Sequence, residues 1–279
     1  MERTKIASAL AQGRPGTETL VQGWVRTRRT SKQVTFVALN DGSSHSDLQV
    51  VADPALPNYD EIERLGPGAA LGVRGQLVDS PGKGQRVELR AEEITIHGVA
   101  DAASYPLQKK GHSLEFLRSI AHLRGRTATF GNVFRLRNAL AMAIHRFFQE
   151  RGFLWVHTPI ISSSDCEGAG EMFQVTTLDL GSIPRAEGEA VDFSADFFCR
   201  PAFLTVSGQL EAELLAMGLS VVYTFGPTFR AENSNTRRHA AEFWMFEPEM
   251  AFCDLEGDVA LAEDFLKAVV GECLVRCRA

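Results

Sequence analysis

Short runs in which hydrophobic and polar residues alternate fill the first hundred positions of the chain, and this period of two is typical of β-strands. Clusters of glycine, proline, asparagine and aspartate separate the runs and predict turns between them. The predicted strands cover residues 20–25, 34–39, 48–51, 70–78 and 87–90, and the last continues over 92–97. A short helix is predicted over 59–65, after the third strand. We therefore expect residues 1–100 to be all-β.

Beyond the predicted strands, the spacing of hydrophobic residues lengthens to that of a helix. Hydrophobic residues recur at steps of three and four from Val133 to Phe147, which predicts a helix that ends at Gly152. The segment 153–161 is predicted to be extended, and Pro159 fits a strand end there. The sequence therefore predicts a long helix followed by a strand.

A second strand and helix are predicted over residues 203–218. In this interpretation Ser207 caps the helix and Gly218 ends it, because a serine hydroxyl accepts a bond from the first free backbone N–H groups and glycine commonly ends helices.

Two alternating runs then flank a polar loop. Val221, Tyr223 and Phe225 share one strand face on the way in, and Phe243 and Met245 share one face on the way out. This pattern predicts two antiparallel strands joined by a long solvated connection.

The remaining segments connect or extend these elements. Residues 101–125 are predicted to be a linker with a short helix at 114–118, residues 180–196 a loop or small hairpin, and residues 256–279 a helix. Five strands with a helix after the third are consistent with an OB-fold, a small barrel that often binds oligonucleotides. The sequence thus predicts an OB-fold over 1–100, a hinge over 101–125 and an α+β domain over 126–279.

Composition and charge narrow the classes of function. A chain of 279 residues with 44% hydrophobic and 23% charged residues is ordinary for a soluble globular protein of two domains. The net charge of −6 argues against indiscriminate coating of nucleic acid, but local charge matters more than the total.

One stretch of the predicted barrel is basic, although the net charge of the whole chain is negative. It contains Arg26, Arg28, Arg29 and Lys32, and the next predicted strand carries Phe36. Cations that hold phosphates beside an aromatic ring that stacks on a base suit single-stranded RNA. The alternative is an exposed turn with ordinary solubilising charges and Phe36 in the core, and the barrel sequence alone leaves both open.

The cysteines give no sign of a disulfide framework or a metal site. There are five, at positions 166, 199, 253, 273 and 277, without a C-x-x-C pair. Two thiols such as Cys273 and Cys277 make a poor zinc site by themselves, so we expect reduced thiols and no protein-bound metal. The first residues lack the apolar core of a signal peptide, and no apolar run is long enough to span a membrane. These observations favour a cytoplasmic protein without a membrane partner.

Residues 225–249, which contain most of the predicted hairpin, carry the strongest candidate chemistry. Arg230, Arg237, Arg238 and His239 cluster within or beside the polar loop. A charged hairpin by itself is most often a solvated surface feature. The full string, from Phe-Arg-Ala-Glu through Arg-Arg-His to Glu-Phe-Trp, nevertheless resembles motif 2 of the class II aminoacyl-tRNA synthetases, specifically of the asparaginyl enzymes.

This resemblance implies an ATP site. It places Arg230 on the α-phosphate as the catalytic group, Arg238 and His239 on the outer phosphates, and Phe243 against adenine. Glu232 would contact the nucleotide or the incoming tRNA end, and Mg²⁺ would bridge the phosphates. The implied reaction is the formation of asparaginyl-adenylate from asparagine and ATP, followed by transfer of the asparaginyl group to tRNA(Asn).

The resemblance also implies an amino-acid pocket. Glu167, in a segment that by itself reads as a flexible acidic loop, would hold the α-ammonium group, and Ser207 and Gln209 would contact the substrate. Aspartyl enzymes have a lysine where this chain has Ala212. Without that cation the pocket lacks the charged partner of an aspartate, which favours asparagine.

In the barrel, the string Gly-Trp-Val-Arg through Asn-Asp-Gly is similar to the anticodon-binding domain of the aspartyl, asparaginyl and lysyl enzymes. The base-stacking phenylalanine of that family falls on Phe36, its base-reading glutamine on Gln49 and its arginine on Arg29. The predicted helix and strand over 133–161 resemble motif 1, which forms the dimer interface in the family, so a homodimer is implied for the complete enzyme.

Some features depart from the family pattern. Arg237 stands where a serine is usual and Ala240 where a leucine is usual, and nothing matches the family's arginine-bearing motif 3. We therefore expect a partial class II catalytic domain, an antiparallel sheet flanked by helices, which alone has little or no aminoacylation activity. Two rival interpretations are an aspartyl-tRNA synthetase of relaxed specificity and a tRNA-binding paralogue without catalysis.

Overall fold

The computed structural model describes residues 2–31, 34–82, 84–101, 103–107, 111–166, 168, 171–186, 188–233, 236 and 239–277. Within this part the chain forms two compact units, Met1–Arg137 and Asn138–Arg278. The predictions for Lys32, Glu167, Arg237 and Arg238 fall outside the described residues.

The first unit contains a closed five-stranded barrel in the order β1-β2-β3-β5-β4, which confirms the predicted OB-fold. Its elements are α1 (Ile6–Gln12), β1 (Glu18–Thr30), β2 (Thr35–Asn40), β3 (Leu48–Ala52), α2 (Tyr59–Ile62), β4 (Ala70–Asp79) and β5 (Val87–Gly98). The helix α1 was not predicted, because a seven-residue helix with only Ile6 and Ala9 buried leaves a weak periodic signal.

Alternation along the strands builds the barrel core. Val37 and Leu39 of β2 and Val50 of β3 point inward and are fully buried, whereas Phe36, next to Val37 on β2, is partly exposed and lies outside the core cluster. Complete burial of each such aliphatic side chain stabilises the fold by about 1.5–3 kcal/mol. The core placement of Phe36, one of the two alternatives, is therefore wrong.

Residues predicted to be a hinge pack within the first unit. They include α3 (Leu114–Ser119) and α4 (Ala121–Arg124), and α5 (Ala128–Glu150) begins soon after them. Leu117 is buried, and Arg135 of α5 donates to the carbonyl oxygen of Gly42 at 2.7 Å. These contacts extend the first unit beyond the barrel.

Among the described residues, the second unit holds two small sheets, two further α-helices and a short 3₁₀ helix at Phe193–Ala195. One sheet has the order β11-β10-β6 and the other β7-β9-β8. The elements are β6 (Leu154–Trp155), β7 (Ile161–Ser162), β8 (Gln174–Val175), β9 (Ala202–Leu204), α6 (Gln209–Leu219), β10 (Val221–Phe229), β11 (Glu242–Met250) and α7 (Leu255–Arg276). The predicted hairpin is confirmed as β10 and β11, which pair antiparallel along their whole length.

Two predicted details are wrong. The extended segment 153–161 is not one strand: it contributes β6 to one sheet and the start of β7 to the other, since Pro159 has no N–H to continue a ladder. The helix after β9 takes Gly208 as its N-cap residue rather than Ser207, and it ends past Gly218 at Ser220, whose φ is 69°.

The two faces of the β10–β11 hairpin have different partners. On one face Tyr223 and Phe246 pack with Phe148 of α5 and Phe265 of α7 in an aromatic cluster. The Tyr223 hydroxyl lies 2.7 Å from Nδ1 of His145, which satisfies a fully buried polar group. The other face meets α6 and is left to carry polar side chains.

Neither a membrane span nor a metal cluster was found among the described residues. No helix there is long and apolar enough to cross a bilayer. No group of three or more histidine, cysteine, aspartate or glutamate side chains in the same residues is arranged to hold a metal ion. All five cysteines are free thiols.

Candidate functional site

The candidate site lies on the hairpin face that meets α6, and Arg230 is its first feature. Arg230 follows the last residue of β10, and its backbone N–H donates to Ala241 at 3.0 Å, which closes the hairpin beyond the strands. Its guanidinium carbon lies 5.6 Å from the ring centre of Phe243. The cation and the aromatic ring are thus brought together, as the sequence resemblance implied.

Arg230 has a buried donor without an acceptor. Its Nε atom makes no hydrogen bond, and it is the one buried side-chain polar atom in the described part of the chain of which this is true. Leaving a buried charged donor unpaired costs a few kcal/mol, so such a group is expected to meet an acceptor when a ligand is bound. A phosphate oxygen suits a guanidinium donor.

An open cavity of about 480 Å³ adjoins this guanidinium. Its lining contains four of the predicted nucleotide-site residues, Arg230, Glu232, His239 and Phe243. Ala240, where the family pattern has a larger side chain, lines it as well. The fifth predicted nucleotide-site residue, Arg238, is outside the described residues.

Ser207 and Gly208 are anchored by a carboxylate that sequence reasoning missed. The Ser207 hydroxyl donates to Glu247 of β11, and the same carboxylate accepts the Gly208 N–H at 3.0 Å and the Thr224 hydroxyl at 2.9 Å. Glu247 therefore holds the turn before α6 against the hairpin. The sequence did not single out Glu247, because β11 also carries Glu242 and Glu249.

Gln209 is the first residue of α6, and both the nitrogen and the oxygen of its side-chain amide contact other residues. Its amide nitrogen donates to Glu213 at 2.9 Å, and its carbonyl oxygen lies 3.8 Å from the Cys166 sulfur. Its backbone N–H donates to the Ser207 hydroxyl at 3.0 Å, so Ser207 still satisfies a donor of the first helical turn. Ser207 and Gln209 are thus adjacent at the start of α6, and their contact with an amino acid stays a prediction.

Acidic groups accumulate near this turn. Burial, together with the smaller effect of the neighbouring carboxylates of Glu213, Glu247 and Asp258, raises the pKa of the Glu249 carboxyl to about 7. The site therefore combines a cation beside an open cavity with several carboxylates at the start of α6.

The predicted RNA-binding residues share one outer wall of the barrel. Arg29 pairs with Phe36 across β1 and β2, and its guanidinium carbon lies 4.9 Å from the ring centre of Phe36. Gln49 follows on β3, on the same outward face as Val51, the partner of Phe36. The three predicted side chains thus lie on neighbouring strands.

Gln49 is oriented by an acidic neighbour. Its amide nitrogen donates to the carboxylate of Glu88 on β5 at 2.8 Å, and that carboxylate is largely buried. Because a carboxylate only accepts hydrogen bonds, this contact fixes which end of the Gln49 amide faces outward.

Two family profiles match the chain. The profile described as "tRNA synthetases class II (D, K and N)" covers residues 113–278, and the profile of an OB-fold nucleic acid binding domain covers residues 19–96.

Curated relatives are similar over nearly the whole chain. An asparagine–tRNA ligase of Nostoc sp. is 62% identical over 278 residues, which cover 99% of this chain and 60% of the relative. One of Geotalea uraniireducens is 63% identical over 275 residues, covering 99% and 59%. The chain spans about three-fifths of the length of these relatives.

Solved structures share the fold. Asparaginyl-tRNA synthetase of Pyrococcus horikoshii complexed with asparaginyl-adenylate has a TM-score of 0.83 at 24% identity, with 99% of this chain and 59% of that chain covered. The aspartyl enzyme of Entamoeba histolytica has a TM-score of 0.73 at 18% identity, covering 99% and 56%. Since the synthetase profile matches more than half of the chain, this protein belongs to the class II tRNA synthetases of the D, K and N group.

Proposed function

We propose that this chain is part of an asparagine–tRNA ligase, which joins asparagine to tRNA(Asn) through an asparaginyl-adenylate. Relatives with that name are about 60% identical to it in sequence. The observation that carries the proposal is the partnerless Nε of Arg230 beside an open cavity that Phe243 also lines. This arrangement supplies a cation for a phosphate and a ring for a base.

In the first step an oxygen of the asparagine carboxylate bonds to the α-phosphorus of ATP, and the bond to pyrophosphate breaks. No protein nucleophile is needed, so positioning and charge stabilisation supply the catalysis. Arg230 neutralises the negative charge that grows on the α-phosphate. In the second step a ribose hydroxyl at the tRNA end takes the asparaginyl group, and AMP leaves.

The other cavity residues bind the nucleotide. Phe243 stacks on adenine, His239 binds the outer phosphates together with Arg238, and Glu232 contacts the nucleotide or the tRNA end. Mg²⁺ would enter with ATP, bound to its phosphates, and would balance part of their negative charge.

The amino acid binds next to the start of α6, where Ser207 and Gln209 contact it and Glu167 pairs with its α-ammonium group. Ala212 is fully buried against Val222. A buried methyl group offers no charge to the carboxylate of an aspartate side chain, so the neutral carboxamide of asparagine is the better ligand. This favours the asparaginyl enzyme over an aspartyl enzyme of relaxed specificity.

The barrel wall of Arg29, Phe36 and Gln49 binds the anticodon. Phe36 is partly exposed and stacked by a guanidinium, which suits an unstacked base. We further propose a homodimer, as the family resemblance implies, and we place it in the cytoplasm.

The test is asparagine-dependent exchange between pyrophosphate and ATP, measured on the full gene product. Arg230→Lys and Arg230→Gln are expected to lower kcat by roughly 10²–10³, because a transition-state charge partner is lost. Lys267→Gln removes an exposed cation of α7 and serves as the matched control.

Three results would contradict the proposal. Unchanged exchange in both Arg230 variants would remove Arg230 from the reaction. Exchange that depends on aspartate rather than asparagine would favour the aspartyl alternative. Binding of tRNA without any exchange would favour the non-catalytic paralogue.

A further inference from the structure

The side chain of Gln209 is held by two residues that have no assigned role in the reaction. Glu213 stands one helical turn further along α6 and accepts from the Gln209 amide nitrogen at 2.9 Å. On the other end of the amide, the thiol of Cys166 lies 3.8 Å from the carbonyl oxygen, within sulfur hydrogen-bond range. Cys166 is only 4% exposed.

These contacts determine which way the amide faces. A carboxylate can only accept, so the NH₂ end of Gln209 must turn toward Glu213. A thiol is a weak donor, which fits the carbonyl end beside Cys166. With both contacts in place, the carbonyl oxygen keeps one lone pair free, and a hydrogen-bond donor of a bound ligand can use it.

Asparagine has two kinds of donor, its α-ammonium group and its side-chain NH₂. A hydrogen bond from a charged donor is shorter and stronger than one from a neutral donor. The α-ammonium group is therefore the preferred partner of a fixed carbonyl oxygen at this position.

We propose that Glu213 and Cys166 are positioning residues, which hold the Gln209 carboxamide so that its carbonyl oxygen accepts the α-ammonium group of the amino acid. This rests on the proposed function, since it assumes an amino acid beside Gln209. An ordinary i,i+4 pair on a helix surface would affect only the stability of α6. The proposed role of Glu213 also affects the binding of the amino acid.

The experiment compares Glu213→Ala with Glu213→Gln in the full gene product. The alanine variant loses the acceptor, whereas the glutamine variant keeps a neutral one. Glu213→Ala should raise the KM for asparagine by about tenfold, with kcat and the KM for ATP within about twofold. Glu213→Gln should restore most of the asparagine affinity.

A deamino analogue identifies the substrate group involved. Succinamate is asparagine without its α-ammonium group, and its inhibition constant should be the same in the wild-type protein and in Glu213→Ala. Cys166→Ala should act in the same direction as Glu213→Ala but more weakly, and Cys166→Ser should keep a donor and stay near wild type. Glu211→Ala removes a carboxylate that projects from another side of α6 and is the control.

Several outcomes would overturn the inference. An unchanged KM in Glu213→Ala, no recovery in Glu213→Gln, or an equal loss of succinamate affinity would each show that Glu213 does not act through the Gln209 carbonyl. Thermal unfolding of each variant separates these from a folding defect. A wild-type protein that shows no asparagine-dependent exchange would instead overturn the proposed function, and the inference with it.

Discussion

At the scale of single residues, Gly208 is constrained by its neighbours rather than by its backbone. A Cβ atom there would lie 2.6 Å from the Thr158 hydroxyl oxygen and 3.0 Å from a Thr224 methyl carbon, although its φ of −90° suits any residue. Gly208→Ala should therefore destabilise the protein by about 1–3 kcal/mol in urea denaturation. Gly218→Ala, on the same helix and with nothing nearby, should be neutral or slightly stabilising. Equal stability of the two variants would show that the site relaxes freely.

The raised pKa of Glu249 predicts a pH-dependent stability. The ordinary value is 4.5 and the folded value is about 7, so the folded state binds a proton more tightly than the unfolded state. The free energy of unfolding should then fall as pH rises between these values. Glu249→Gln removes the charge and should raise Tm at pH 8 but change it little at pH 5.

The matched control for this prediction is Glu242→Gln, an exposed glutamate on the same strand. It should shift Tm by a similar small amount at both pH values. A Glu249→Gln variant that behaves in the same way would show that burial does not perturb the Glu249 carboxyl.

Some residues of the site could be predicted from the sequence and others could not. The structure brings Arg230, His239 and Phe243 to one cavity because the motif fixes their spacing around a single hairpin. Glu247 was missed because its importance depends on a turn forty residues earlier in the chain, which carries Ser207. Pairings across such a separation are set by tertiary packing, and local sequence patterns do not contain them.

At the scale of elements, the outer wall of the barrel makes a prediction about RNA. Phe36→Ala should weaken binding of a tRNA(Asn) transcript by about 1–3 kcal/mol, the usual contribution of one stacked base. Val78→Ala removes a partly exposed apolar side chain from β4 and should leave affinity unchanged. Filter binding at fixed salt measures both, and equal affinities of the two variants would place the RNA elsewhere.

The elements that the sequence predicted well have strong local patterns. The barrel strands alternate because one face is buried, and α5 keeps a helical period over several turns. The short strands β6 and β7 could not be separated within segment 153–161, because their pairing partners decide where each one ends. The cap of α6 shifted by one residue because Ser207 bonds Glu247 as well as the helix.

At the scale of the whole molecule, the chain has two main hydrophobic cores made from different parts of the sequence. Leu89 belongs to the barrel core and Phe265 to the aromatic cluster of the second unit. Separate cores of this kind are expected to unfold as separate cooperative units when they share few contacts. Within the described residues, the two main clusters have no member in common.

The three tryptophans allow this expectation to be tested unit by unit. Trp24 is in the first unit, and Trp155 and Trp244 are in the second. A Trp24→Phe background therefore reports only the second unit, and a background with Trp155→Phe and Trp244→Phe reports only the first. Leu89→Ala should destabilise the first unit by about 2–5 kcal/mol and Phe265→Ala the second by about 3–5 kcal/mol. Equal shifts of the fluorescence transition in both backgrounds would contradict this expectation. They would show that the chain unfolds as one cooperative unit, because destabilising either core would then destabilise the whole structure.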